Sequence, residues 1–422
     1  MTPDPASRAG AILEVDLAGI AANWHLLAHE AAPARCAAVL KANAYGLGAA
    51  PVARALLDAG CHMFFVATLD EGILLRHALG DTPEIAVFNG PFPGTAAEFA
   101  AHGLVPVLNE PGQIAQWAAA APRVLRDAPR LRRAAPQDED HLYLASKAYP
   151  HPEEAAERPS RRAHRHSSNT RGNAILHVDT GMARLGLDAG EFASVVENPP
   201  PFPWRAVISH LACADSPDHP LNERQRARFA AAAARLPGVT ASLAASSGIF
   251  LGPSYHFDLV RPGAALFGVN PQPGRPNPLR QIVRLFGKIV QVRQIDRGQS
   301  VGYGAAHVMA APGRAAIVAV GYADGWLRSF SHRGCGTLAG TRVPLLGRVS
   351  MDLVTFDVTA VPPGLAHPGA MIELIGADYG VDEAAADAGT IGYEILCALG
   401  SRYHRVYRGS PAPGPDGINL PE

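Results

Sequence analysis

A single lysine closes a run of small apolar residues in the segment CAAVLKANAYGLG, residues 36–48. The run predicts a buried strand, with the Lys41 amine at its carboxyl end. Apolar surroundings disfavour the charged form of an amine and lower its pKa, and a neutral amine can form a Schiff base. The alternatives are a side chain that extends to solvent or one that pairs with a carboxylate. The choice depends on which residues share the site with Lys41.

Two segments late in the chain have the composition of a phosphate site. SSG at 246–248 places hydroxyls beside a glycine, and RPGAALFG at 261–268 joins Arg261 to a glycine turn. Hydroxyls, small residues and free backbone amides on the loops of the last strands of a barrel commonly bind phosphate. Neither segment is specific alone. Together with a Schiff-base lysine, they match what pyridoxal 5'-phosphate requires.

Eight short apolar runs must position these groups. Each ends in a polar or glycine turn, which is typical of strands buried on both faces; the runs are 36–41, 62–66, 84–88, 104–108, 174–178, 205–210, 239–244 and 257–261. They predict an α/β fold, a (β/α)₈ TIM-type barrel whose strands open at their carboxyl ends into one shared site. The polar residues predicted at those ends are Lys41, His177, Asp179, Arg184, His210, Ser246, Ser247 and Arg261.

The sequence pattern changes after the last apolar run, residues 257–261. Stretches rich in β-branched residues, without long helices between them, predict a mostly antiparallel β domain. We therefore divide the chain into a barrel at 1–265 and a β domain at 266–422, with a first strand near 11–17 that can pack with the second domain. Residues 121–172 are rich in Arg, Pro, Ala and His, and we expect a flexible surface insertion there. A binding arm for an acidic partner is the less favoured alternative.

The composition limits which binding partners and which cellular compartment suit this chain. The 37 basic and 38 acidic side chains nearly cancel, so no overall field favours nucleic acid. The five cysteines are scattered and never spaced as CxxC, which argues against a disulfide framework or a metal site. The N-terminus has no apolar core typical of a signal peptide, and no run reaches the roughly 20 apolar residues that cross a bilayer. We expect a cytoplasmic protein without membrane contact.

Eight motifs along the chain resemble those of the alanine racemase family, which is pyridoxal-phosphate-dependent and of fold type III: VLKANAYGLG, DTGMARLG, SHLACAD, RPGAALFG, VGYGAAH, VGYADGWLR, GRVSMD and IGYEIL. The resemblance implies interconversion of L- and D-alanine, which supplies D-alanine for peptidoglycan. It also implies a homodimer whose active sites combine the barrel of one subunit with the β domain of the other. Lys41 would hold the cofactor as an internal aldimine and act on the D face, and Tyr303 of the second subunit would act on the L face.

The resemblance implies further roles for named side chains. Arg184 would reach both the cofactor's phenolic oxygen and the substrate carboxylate, and His210 would couple Arg261, at the pyridine nitrogen, to Tyr303. Met351 would bind the substrate carboxylate through its backbone, while Tyr322 and Asp352 would line the entry and support the site. The groups that would bind the cofactor's phosphate are Tyr45, Ser246, the amides of Gly263 and Ala264, and Tyr393.

The implied pair of bases suits the reaction. Racemisation removes a proton from one face of a planar intermediate and returns one to the other face, so it needs two acid/base groups on opposite sides. A tyrosine, with a reference pKa of about 10, needs cationic neighbours to serve as a base near neutrality. Arg261 cannot protonate a pyridine nitrogen as a carboxylic acid would, which should suppress side reactions. A structural salt bridge at the barrel rim is the alternative for Arg261.

Two positions depart from the family pattern. His177 stands where relatives commonly carry a lysine, often carbamylated, that orients the following arginine, so a chloride ion, a water molecule or His177 itself must position Arg184. A packed histidine without effect is the alternative. Ala245 replaces an asparagine before the phosphate-binding serine, which removes one hydrogen-bonding side chain.

Three other functions are alternatives to alanine racemisation. A broader-specificity amino-acid racemase would need a roomier entry, and such relatives often carry an export signal. A basic-amino-acid decarboxylase of the same fold type would carry a cysteine- and aspartate-bearing motif in the β domain. A non-catalytic pyridoxal-phosphate carrier would end after the barrel, so VGYGAA at 301–306 favours the enzyme.

Overall fold

The computed structural model describes residues 5–120 and 174–409. Its first part is a ring of parallel strands with these bounds: Arg35–Cys36, Ala38–Val39, Met63–Val66, Glu84–Val87, Val105–Leu108, Ala174–His177, Trp204–Ile208, Thr240–Ser242 and Leu259–Val260. The ring closes where Leu259–Val260 pairs with Arg35–Cys36, and Ala245 bridges Arg261 beside it. The predicted barrel is confirmed, and each of the eight runs overlaps one of its strands.

Apolar side chains from all parts of the ring except the strand Thr240–Ser242 fill the barrel interior. This inner cluster is almost entirely inaccessible to solvent and contains Ala37, Val39, Phe65, Ala86, Val105, Val107, Ile175, Ala206, Ile208 and Leu259. The opposite faces of the same strands pack against helices, which is why the runs are apolar at nearly every position. Full burial of one such Val, Leu, Ile or Phe side chain contributes roughly 1.5–3 kcal/mol. The strand ends therefore belong to a densely packed scaffold.

Helices surround the ring. They are Leu17–Glu30, Ala49–Asp58, Leu69–Leu79, Ala96–Ala101, 111–120, Ala189–Glu197 and Pro220–Ala234, with shorter turns at Pro5–Arg8, Ser246–Ile249, Pro253–Tyr255 and Ala264–Phe267. The helix Leu69–Leu79 begins with a capping box, because the Thr68 hydroxyl and the Glu71 carboxylate each accept a backbone N–H of the first turn. This fixes the position of Glu71, which also contacts the Lys41 turn.

The second part of the chain is a strand-rich domain. Its strands are Val283–Ile295, Ser300–Val301, His307–Val308, Gly313–Val318, Cys335–Leu338, Thr341–Pro344, Val354–Asp357, Met371–Ile375 and His404–Arg408, with helices Val381–Ala388 and Gly392–Ala398 and single turns at Tyr303–Ala305, Tyr322–Asp324 and Arg328–Phe330. Most pairs are antiparallel, as predicted.

The strand Ala11–Asp16 lies in the sheet of this second part, although it comes first in the chain. It pairs antiparallel with Val283–Ile295 and parallel with His404–Arg408. The division at residues 265 and 266 stays a prediction, and the expected insertion at 121–172 falls outside the described residues. Within the described ranges, no helix is both long enough and apolar enough to cross a bilayer.

Candidate active site

Lys41 is followed by a turn whose backbone has the left-handed conformation. Residues 42–45, none of them glycine, have φ between 53° and 55°, a left-handed conformation that costs roughly 1–2 kcal/mol per residue for L-amino acids. The turn is held from outside, because the Ala42 amide donates to Glu71 Oε1 (2.6 Å) and the Ala49 amide donates to Asn43 Oδ1 (2.7 Å). Strain maintained in this way is characteristic of functional sites. Here Lys41 and Tyr45, at the two ends of the turn, both face one cavity.

That cavity, about 890 Å³ in volume, lies at the carboxyl ends of the barrel strands. Its size suits a small molecule or cofactor. The structure brings together there ten of the side chains and amides singled out from the sequence: Lys41, Tyr45, His177, Arg184, His210, Ser246, Arg261, Gly263, Ala264 and Tyr393. Ser247 lines it as well. Residues separated by more than 350 positions in the chain thus form one site.

One wall of the cavity is built from hydroxyls around a close backbone approach. The amide of Gly263 donates to Ser246 Oγ at 3.0 Å, and the Tyr45 and Tyr393 rings lie 6.1 Å apart. A Cβ on Gly263 would meet the Tyr45 hydroxyl oxygen at 2.3 Å, so only glycine fits this position. Tyr393 also makes a hydrogen bond with the Ser247 side chain. The wall can offer hydroxyl and amide donors to an anionic group.

Three basic side chains, Lys41, Arg184 and Arg261, line the cavity together with the carboxyl groups of Asp215 and Asp382. Burial, and then the charge of Arg184, lower the pKa of Lys41. Burial, followed by the charges of Arg261 and Arg184, lowers the pKa of His177 to about 4 and that of His210 to about 3, so both imidazoles are neutral at pH 7. Burial lowers the pKa of Arg261 to about 10, which leaves it a cation. The cavity therefore contains two arginine cations that can bind an anionic ligand.

Arg261 is fixed by neutral acceptors. Its guanidinium donates to the carbonyl of Ser242 at 2.9 Å, to the Ser242 hydroxyl, and to the carbonyl of Ser209 at 2.6 Å. No carboxylate among the described residues forms an ion pair with it, so the alternative of a structural salt bridge is not found there. The predicted link to His210 is electrostatic in this structure, without a hydrogen bond between the two side chains among the described contacts.

Asp179 and four further predicted residues do not line this cavity. Tyr303 lies in the β domain between two short paired strands, with 73% of its surface exposed. Tyr322 and Met351 are also exposed in that domain, and Asp352 forms an ion pair with Arg402 (2.8 Å). A single chain therefore brings Lys41 to the cavity but does not bring Tyr303 there.

Several residues of the site were missed at the sequence level. Asn89 lines the cavity, and Asn109 hydrogen-bonds to His177 at 2.7 Å. Both follow predicted strands directly, so the strand-end rule that selected Lys41 would have found them. Gln225, fully buried on a helix, donates to the His210 carbonyl at 2.9 Å. No local pattern marks that glutamine, because its role depends on where the helix packs.

Comparison with known proteins shows the family of the chain. The family model for the N-terminal domain of alanine racemase matches residues 15–271, and the model for the C-terminal domain matches residues 282–407. The chain belongs to the alanine racemase family. Among curated family members, the alanine racemase of Rhodospirillum rubrum is 50% identical over 406 residues, which cover 95% of this chain and 97% of that protein. A catabolic alanine racemase of Mesorhizobium japonicum is 44% identical, with 96% of each chain covered.

Solved structures of the family share the fold. The alanine racemase of Bartonella henselae, with covalently bound pyridoxal phosphate, has a TM-score of 0.80 at 35% identity, covering 94% of this chain and 99% of that one. The Bacillus anthracis alanine racemase with bound L-Ala-P has a TM-score of 0.75 at 26% identity, with 95% of both chains covered. Membership of the family makes this chain a pyridoxal-phosphate-dependent racemase.

Proposed function

We propose that this protein interconverts L-alanine and D-alanine with pyridoxal 5'-phosphate as cofactor. The observation that carries the proposal is the cavity in which the Lys41 amine faces a wall of hydroxyls and amides. Lys41 is the only lysine among the described lining residues, and burial lowers the pKa of its amine. An amine that is readily deprotonated is the group a pyridoxal aldehyde needs.

The residues present fit the cofactor. Tyr45, Ser246, Gly263, Ala264 and Tyr393 would hold the phosphate, and the missing Cβ of Gly263 leaves room for the Tyr45 hydroxyl beside that backbone. Arg261 would lie at the pyridine nitrogen, and it is already oriented by Ser242 and Ser209. Ala245 contributes no hydrogen-bonding side chain to this wall.

Bound pyridoxal phosphate withdraws electrons from the substrate's Cα and so makes its proton acidic. The chain's own side chains then have three tasks. Arg184, a cation exposed in the cavity, would bind the substrate carboxylate. The Lys41 Nζ would hold or release a proton on the D face, and the Tyr303 hydroxyl would do so on the L face.

The second acid/base would come from a second copy of the chain. Tyr303 does not line the cavity of its own chain and is 73% exposed. Met351, which would bind the carboxylate through its backbone, is 54% exposed, and its carbonyl accepts the amide of Ala323, the residue after the exposed Tyr322, at 2.9 Å. A homodimer in which the β domain of each subunit, including Asp352, completes the other's cavity would use these exposed residues.

The cellular role follows from the product. We propose that the enzyme acts in the cytoplasm, and the absence of disulfides among its five cysteines suits a reducing compartment. D-alanine for peptidoglycan is the proposed output. One relative is named a catabolic alanine racemase, so the two roles need a direct test. Expression of this protein in a D-alanine auxotroph should restore growth if the enzyme supplies D-alanine. Failure to restore growth by an active enzyme would favour a catabolic role.

Proton exchange tests the reaction itself. Purified holoenzyme in deuterated water should exchange the α-proton of L-alanine and abolish its optical rotation, with much slower turnover of L-serine and L-lysine. Activity on one of these two without activity on alanine would overturn the substrate assignment. The Tyr303→Phe variant removes one hydroxyl and should lose racemisation of L-alanine while it still binds the cofactor. Unchanged turnover would refute the two-base assignment.

A further inference from the structure

His177 is a buried imidazole in the cavity wall to which the proposed reaction assigns no task. Its backbone lies at the end of the strand Ala174–His177, and only 8% of its surface is exposed. One ring nitrogen, Nδ1, lies 2.7 Å from Asn109 Oδ1. The ring also lines the same cavity as Arg184.

The surroundings of Asn109 determine which nitrogen of the ring carries the proton. The side-chain amide nitrogen of Asn109, Nδ2, donates to two backbone carbonyls, those of Phe88 (2.9 Å) and Val107 (3.1 Å). The side-chain oxygen, Oδ1, must therefore face His177. An amide oxygen only accepts hydrogen bonds, and Nδ1 must therefore be the donor. A neutral imidazole with its proton on Nδ1 has an unprotonated Nε2, which is an acceptor.

The same ring packs against the turn that carries Arg184. The Leu187 amide donates to the His177 carbonyl at 2.9 Å, which closes the turn onto the end of the strand. A Cβ on Gly186 would lie 3.1 Å from His177 Cδ2, the ring carbon bonded to Nε2. Asp179 holds the start of the turn, since its carboxylate accepts the amide of Ala183 at 2.9 Å. The Cδ2 edge of the ring, next to Nε2, therefore faces the Arg184 turn.

Both groups lack a hydrogen-bond partner within the described part of the chain. No described hydrogen bond reaches His177 Nε2 or the Arg184 guanidinium, although the two side chains interact electrostatically. A protonated Nε2 would repel the guanidinium, whereas an unprotonated one complements it. The residues around the pair add cations and one carboxylate, namely Arg261, Lys41 and Asp179.

We propose that His177 is a positioning residue, which Asn109 fixes with its proton on Nδ1 so that Nε2 accepts a hydrogen bond from Arg184 and aims that arginine at the substrate carboxylate. The proposal rests on the function above, because it needs Arg184 to bind the carboxylate. A neutral aromatic acceptor then does what a charged side chain could do in the same place, without adding negative charge to the cavity.

Nuclear magnetic resonance tests the tautomer without any activity measurement. In holoenzyme labelled with ¹⁵N-histidine, the His177 signals are those that disappear in His177→Gln. At pH 7 we expect a protonated Nδ1 and an unprotonated Nε2. A protonated Nε2, whether or not Nδ1 is also protonated, would overturn the proposal.

Matched substitutions test the positioning. The terminal amide of glutamine reaches the place of Nε2, and that of asparagine reaches the place of Nδ1. His177→Gln should therefore keep kcat/KM for alanine within about threefold, while His177→Asn and His177→Leu should lose roughly 10- to 100-fold, mainly through KM. Cofactor affinity and melting temperature should be similar among the three. Equal kcat/KM in all three would refute the positioning role.

The Asn109→Asp variant provides a second test of the positioning role. A carboxylate at Nδ1 would favour the doubly protonated ring, so Nε2 would become a donor opposite Arg184, and KM should rise as in His177→Leu. An unchanged KM would count against the proposal. If wild-type enzyme lacks alanine racemisation, the proposed function fails; if it is active and all four variants match it, only the positioning role fails.

Discussion

The close approach of Gly263 to Tyr45 gives a prediction whose size follows from the structure. In Gly263→Ala, the new Cβ would lie 2.3 Å from the Tyr45 hydroxyl oxygen, 3.1 Å from its Cζ and 3.3 Å from Val39 Cβ. Tyr45 is only 5% exposed and packs against Phe267, with ring centroids 5.1 Å apart, so it cannot simply rotate away. Overpacking of this kind costs about 1–3 kcal/mol. Because the clash lies in the proposed phosphate wall, cofactor affinity should fall by roughly 5- to 150-fold.

A double-mutant cycle isolates the cause. Tyr45→Phe removes the atom at 2.3 Å and leaves contacts at 3.1 and 3.3 Å that small shifts can relieve. In the Tyr45→Phe background, Gly263→Ala should therefore cost less than about 1 kcal/mol, a coupling typical of residues in contact. Gly364→Ala is the control, since a Cβ there meets nothing within 4 Å. Urea unfolding gives the stability and cofactor fluorescence titration gives the affinity. Additive effects of the two substitutions would refute the steric account.

Two further predictions concern stability. In the unfolded chain histidines titrate near pH 6.5, whereas His177 and His210 have pKa values of about 4 and 3 in the folded protein. Below pH 6.5 the unfolded state therefore binds more protons than the folded state. Acidification from pH 7 to pH 5 should then lower the unfolding free energy by up to about 2 kcal/mol per histidine. Urea titrations should show a flatter pH dependence for the His177→Gln/His210→Gln double variant, and an equal slope would contradict these assignments. Separately, Arg76 is buried and donates to the carbonyls of residues 80, 83, 102 and 103 at 2.8–3.1 Å. Arg76→Met should cost about 3 kcal/mol with kcat unchanged, whereas Arg226→Met, which breaks an exposed ion pair, should change stability little; equal losses would contradict this reasoning.

The barrel was predictable because its strands are buried on both faces. That burial makes each strand an apolar run, and a ring of eight parallel strands directs all of their carboxyl ends to one side. Lys41 and His210 were identified by this rule alone. Tyr45 and Tyr393 needed the family motifs, since nothing in their local sequence distinguishes a tyrosine of the cavity wall from one in the core.

Other features depend on contacts between distant parts of the chain. KANAY has the composition of a helix, and the left-handed turn at 42–45 exists because Glu71 and Asn43 hold it. The strand Ala11–Asp16 finds its partners about 270 and 390 residues later. Asn109 was overlooked although it follows a predicted strand, because an isolated asparagine more often marks a turn.

A subunit-mixing experiment tests the central proposal, that each active site uses Lys41 of one chain and Tyr303 of another. Lys41→Ala and Tyr303→Phe, carrying different affinity tags, should each be inactive in racemisation of L-alanine as homodimers. Co-expressed and purified through both tags, the hybrid should contain one site with both lesions and one intact site, and so recover about half of the wild-type activity. If the two residues acted within one chain, every site of the hybrid would carry a lesion. An inactive, dimeric, cofactor-loaded hybrid would contradict the account.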